Sequence, residues 1–88
     1  MSGLLPEWAC AFQASMLLHQ AALDIRGGKS TAAVREAKEI LDAMNDGSVR
    51  STYLKPFYLR ANRENEGMGI DAICESMSRY LLIEAGKR

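Results

Sequence analysis

Residues 6–26 read PEWACAFQASMLLHQAALDIR, and the number of apolar sides on this segment decides the fold. Pro6 suits the first turn of a helix, where a missing N–H costs nothing, and Gly27-Gly28 supply a C-terminal stop. At about 100° per residue, Trp8, Phe12, Met16, His19 and Leu23 gather on one side. Ala14, Leu18, Ala21 and Ile25 form a second apolar side, with Ala11 and Ala22 alongside. Only Gln13, Gln20 and Asp24 make a polar wedge, and Leu17 sits beside it. A helix apolar round most of its circumference needs cover on nearly every side. Three short neighbours from one small chain supply little of that cover.

Moving outward, Ser30 is placed to cap a second helix, TAAVREAKEILDAM, which ends at Asn45-Asp46-Gly47. Ala33, Val34, Ala37, Ile40, Leu41 and Met44 share one face; Arg35, Glu36, Lys38, Glu39 and Asp42 share the other. This is an amphipathic helix with a solvated outer face. Next comes RSTYLKPFYLRANR, residues 50–63, in which four bases alternate with three aromatics and no acid. Pro56 disfavours a helix interior and pushes Lys55 towards extended geometry. The reading is therefore a loop over 48–55 and a short helix from about Pro56 to Asn62, with an edge strand as the weaker option. Glu64 to Gly69 reads as a linker. A last helix, DAICESMSRYLLIEA, starts at Asp71 and stops at Gly86, with Ile73, Cys74, Met77, Tyr80 and Leu81 as its stripe. Leu82 and Ile83 fall off that stripe, so this helix too has apolar surface to spare.

The 88 residues make one domain, 1–88, with 48% hydrophobic content and a formal net charge of zero. A chain this short buries only about 60–65% of the surface its unfolded form exposes. Neutrality removes any global attraction to nucleic acid or to an anionic membrane, so such binding would need local charge. The first base is Arg26, and Glu7, Gln13, His19 and Gln20 interrupt the apolar N-terminal stretch. It reads poorly as a signal peptide and falls short of a membrane span; cytoplasmic residence is the default expectation. Cys10 and Cys74, each in apolar surroundings, read as reduced core thiols, with a disulfide between the first and last helices as the lesser option.

Chemistry finds little purchase. His19 is the only histidine, and no Cys, Asp or Glu stands near it at metal-ligand spacing. A cysteine–histidine nucleophilic pair would need an orienting group and an oxyanion site that nothing marks. Gly27-Gly28-Lys29-Ser30-Thr31 matches the end of a phosphate loop but lacks its upstream glycine and preceding strand. The expectation is a protein that is not an enzyme and uses no cofactor or metal.

The fold expected is all-α, a compact small helical bundle of three main helices and one short one, forming a homodimer. Small residues allow close helix approach, so Ala14, Leu18, Ala21 and Ile25, with Leu82 and Ile83, are the expected interface. The function expected is a cytoplasmic regulator or adaptor that binds another protein and acts sterically, with no membrane role. Arg50, Tyr53, Lys55, Phe57, Tyr58, Arg60 and Arg63 form the second expected surface, because Tyr and Arg are enriched at binding hot spots. The alternative is a nucleic-acid binder in which those rings stack and those bases meet phosphates. A helix-turn-helix does not fit, since residues 45–55 exceed its short turn and Glu36, Glu39, Asp42 and Asp46 would face phosphate.

Overall fold

The computed structural model describes the backbone of residues 7–87 and the side chains of residues 10–87. The expectations placed on Pro6 and on the Trp8 side chain lie outside the described residues. Within them the chain is all-helical: α1 (Glu7–Arg26), α2 (Ala32–Asp42), α3 (Val49–Glu64) and α4 (Ile70–Ala85). Among the described residues, no helix is long and apolar enough to cross a membrane.

The end of α1 follows the expected chemistry. Gly28 takes φ +73°; its N–H donates to Ile25 O at 3.0 Å, while Lys29 N–H donates to Asp24 O at 2.8 Å. That pair of bonds closes a helix around a left-handed glycine. The cap of α2 is Thr31 rather than Ser30: Thr31 is extended (φ −99°, ψ 170°) and its hydroxyl accepts from Val34 N–H at 3.3 Å. The same hydroxyl donates to Asp24 Oδ2 at 2.7 Å, which fastens the loop to α1 and selects Thr31 over its neighbour. Val34, Ala37 and Ile40 are buried on the inner face of α2, and Met44 just beyond its end is buried with them.

The third element corrects the expectation of a loop followed by a short helix. It is one helix of 16 residues with Pro56 inside it. Two local signals outweigh the proline. Ser48 caps the N-terminus, accepting from Ser51 N–H at 3.1 Å, and Asp46 accepts from Ser48 N–H at 2.8 Å. Ser51, Leu54 and Ala61 then form a buried stripe with Tyr58 half-buried between them. Pro56 itself is exposed, so its ring faces water and its cost is confined to one lost backbone bond. In α4 the cap is Gly69, and Asp71 lies in the first turn.

Packing is organised around an antiparallel α1–α4 pair. Arg26 meets Asp71 at one end (3.0 Å), and further along the Ser15 hydroxyl donates to Ser78 O at 2.8 Å. Ala11, Ser15, Leu18 and Ala22 of α1 and Cys74, Ser78 and Leu81 of α4 are buried. The small side chains among them let the helices approach closely while Leu18 and Leu81 fill the space around the seam. Against this pair α2 covers α1 and α3 covers α4. Although joined by a short loop, α2 and α3 barely touch, contrary to the antiparallel neighbours that loop length suggests.

The small-residue side of α1 is thus used inside the chain. Leu18 and Ala21 are 0% exposed, so these two expected interface residues are covered by the chain's own helices, while Ala14 and Ile25 are half-buried. The bulky side is the one turned out: Phe12, Met16 and Leu23 are 46%, 55% and 47% exposed. Angular position cannot say which of two apolar sides goes inward. Close approach decides it, because alanine and serine permit a tight seam that phenylalanine and methionine would hold open. Cys10 also departs from expectation, being exposed while Cys74 is buried; both are free thiols.

Candidate functional site

Three surfaces carry the residues singled out above. The first is the outward face shared by α1 and α4. His19 Nδ1 lies 3.4 Å from Glu75 Oε1, which sets the register across the pair. Seven residues back from His19 on the same stripe stands Phe12; seven forward from Glu75 stands Leu82. By that register Phe12 and Met16 of α1 lie towards Leu82 across the seam, Leu23 lies towards the Arg26–Asp71 end, and Ile83 is one step further round α4. Leu82 and Ile83 are 51% and 62% exposed, as the sequence pattern led one to expect of them. One end of this face is charged, since Arg26 reaches both Asp71 and Glu75. Glu75 Oε1 is buried without a hydrogen bond, with the Arg26 guanidinium at 3.7 Å and His19 Nδ1 at 3.4 Å. The His19 partner is hence a carboxylate on another helix, and the cluster acts as an electrostatic staple between α1 and α4.

The second surface is a groove of about 560 Å³ left by the missing contact between α2 and α3. Its floor is α1, through Cys10, Gln13, Ala14 and Leu17. Ile40 and Glu36 line the α2 wall; Val49, Arg50, Tyr53 and Leu54 line the α3 wall. Most of the lining is apolar, and the two charges stand on opposite walls. Reading the sequence element by element missed this groove, because it depends on α2 and α3 splaying apart. The one available signal was Leu17, an apolar residue beside the polar wedge of α1.

The third is the aromatic–basic segment, now known to be α3. Tyr53, Phe57 and Tyr58 pack against the core, and Tyr53 and Phe57 tilt against each other with centroids 5.8 Å apart. The rings are thus largely committed to the fold. Arg60 lies 4.1 Å from the Tyr80 ring centroid and bonds Glu64 at 3.3 Å, while Tyr80 donates its hydroxyl to Glu64. Lys55 donates to Asn45 Oδ1 at 2.7 Å. At about 100° per residue, Arg50, Lys55, Arg60 and Arg63 spread over more than half the circumference of α3. They build no single basic track. Arg50 alone lies in the groove.

Electrostatics elsewhere serve the loops. Asp24 is only 8% exposed, and its carboxyl is held below the usual carboxylate range by the Thr31 hydroxyl first and the Gln20 amide second. Asp46 is lowered chiefly by the Ser48 backbone N–H, with Arg50 contributing at longer range. Among the described residues, no group of three His, Cys, Asp or Glu side chains is arranged to hold a metal ion.

No protein-family model, curated protein or solved structure matches the chain.

Proposed function

We propose that the chain is a small non-enzymatic interaction module that pairs with a second copy of itself and acts by binding another protein. The observation that carries the pairing is the α1–α4 face, where Phe12, Met16, Leu23, Leu82 and Ile83 are each about half exposed or more. Single exposed apolar residues need no explanation, whereas several gathered on one outward face of a two-helix pair favour an interaction site. Two-fold pairing suits it, because an isologous contact sets each apolar stripe against its own copy. The Arg26–Asp71 end, carrying both signs, makes a self-complementary polar rim.

Magnitudes predict a modest affinity. About 300 Å² per copy at about 25 cal/mol per Å² contributes about 15 kcal/mol for the pair. Lost translational and rotational freedom offsets about 4–15 kcal/mol of that. Association is therefore expected to vary with concentration between about 1 μM and 1 mM. In static light scattering the mass should climb from 9.7 kDa towards twice that value across the range. Met16→Glu combined with Leu82→Glu, both at exposed sites, should hold the lower mass while keeping the helical circular-dichroism spectrum. A wild-type mass of one chain throughout would remove the pairing from the proposal. The dispersed bases of α3 speak for a protein surface over nucleic acid, and mixed-sequence DNA should accordingly bind without the steep salt dependence of multiple phosphate contacts.

A further inference from the structure

The groove between α2 and α3 has the form of a bundle with one member missing. α1 packs on α2 and α4, and α4 on α3, but the ring is open where α2 and α3 would meet. Its floor runs from Cys10 to Leu17, which is about two turns of α1 at about 1.5 Å per residue. The walls are themselves helices. An occupant with the shape of a helix would meet Ala14 and Leu17 below it, Ile40 on one side, and Leu54 with the Tyr53 ring on the other. Apolar anchors at i, i+3, i+4 and i+7 supply that pattern over two turns.

Charge distinguishes this site from the α1–α4 face. Glu36 is the acid on the α2 wall and Arg50 the base on the α3 wall; both are exposed. An occupant matched to them carries a base on its α2 side and an acid on its α3 side. A fatty acid or other single-headed amphiphile satisfies one wall and opposes the other. The outward face of α2 has no apolar stripe, the exposed apolar residues of α3 and α4 (Val49, Leu59, Ile70, Leu82 and Ile83) are too widely spaced to supply such a set, and the exposed stripe of α1 is the one proposed for pairing, so a partner's helix is favoured over a second copy. We infer that the groove receives one amphipathic helix from a partner protein, bearing a base towards Glu36 and an acid towards Arg50. This rests on the reading of the chain as an interaction module and names the shape and charge of what it binds.

The test uses three synthetic peptides of 15 residues, each with the same apolar stripe stabilised as a helix. One carries the matched charges, one has them exchanged between its flanks, and one is scrambled. Dodecanoate serves as a single-headed control. Cys10, an exposed thiol in the floor, reports occupancy through its rate of alkylation. With the matched peptide at about ten times its dissociation constant, that rate should fall about tenfold. Amide shifts should map to Ala14, Leu17, Ile40 and Leu54. The matched peptide should outcompete the exchanged one, and Glu36→Lys combined with Arg50→Glu should reverse the order.

Several results would overturn the inference. These are no protection of Cys10 by either amphipathic peptide, equal protection by both, protection by dodecanoate at least as strong as by the matched peptide, or protection that rises with protein concentration alone. Shifts confined to Phe12, Met16, Leu82 and Ile83 would overturn it while leaving the pairing face in place. Conversely, Met16→Glu with Leu82→Glu should abolish pairing and leave matched-peptide binding unchanged, so the two claims fail separately.

Discussion

Cys10 and Cys74 are one functional group in two settings, and each setting predicts its chemistry. Cys74 is 0% exposed, and burial, aided by the charges of Asp71 and Glu75, pushes its thiol up to about 11 from an ordinary value of 9.0. Thiolate is the reactive form. In the native protein near neutral pH, one thiol per chain should react with a disulfide reagent, and the second only on unfolding. Alkaline stability follows from the same shift. Below about pH 9 the thiol is neutral in both states, so its contribution is intact. Above that the unfolded thiol ionises while the folded one resists, and stability falls until the pH passes about 11. The loss attributable to this group approaches about 3 kcal/mol. Urea unfolding at successive pH values should show Cys74→Ala less stable than wild type at neutral pH but with a shallower alkaline decline. Asp24 works in the opposite sense: its lowered carboxyl adds stability that is present above the ordinary carboxylate range and is lost as pH falls through the folded value. Thr31 both caps α2 and holds Asp24, so Thr31→Ala should lower stability by about 1–2 kcal/mol, read as a shift in urea midpoint.

At the scale of elements, α2 and α4 were legible because periodicity and stop signals agreed at each, although the caps fall on Thr31 rather than Ser30 and on Gly69 rather than Asp71. For α1 the length was legible and the orientation was not. Its two apolar sides differ in bulk, and only the distance between packed axes tells which is inside. The error at α3 has a different source. Pro56 was weighed above the Ser48–Ser51 cap and above the repeat of Ser51, Leu54, Tyr58 and Ala61, which together outline one continuous helix. A proline whose ring faces water removes a hydrogen bond without displacing the chain from its groove of neighbours. Replacing it should therefore help. Pro56→Ala restores an N–H donor towards the Thr52 carbonyl and is expected to stabilise by about 1–3 kcal/mol. Thermal melting should register this as a rise of about 4–8 °C per kcal/mol, and no rise would mean that α3 is bent there to its own advantage.

For the molecule as a whole, the all-α class and the leftover apolar surface were readable from residues 7–26 and 82–83, since both depend only on angular position. The groove was not, because it is made by an absence: two helices adjacent in the chain that do not pack together. That absence also bears on motion. α1 and α4 brace each other along their length, whereas α2 rests chiefly on α1 through Val34, Ala37, Ile40 and Met44, with Thr31 tying its start to Asp24. Deuterium should enter such a structure unevenly, reaching the α2 amides through partial opening long before those at the α1–α4 seam. The protein would then breathe on one flank, with its second helix as the movable wall.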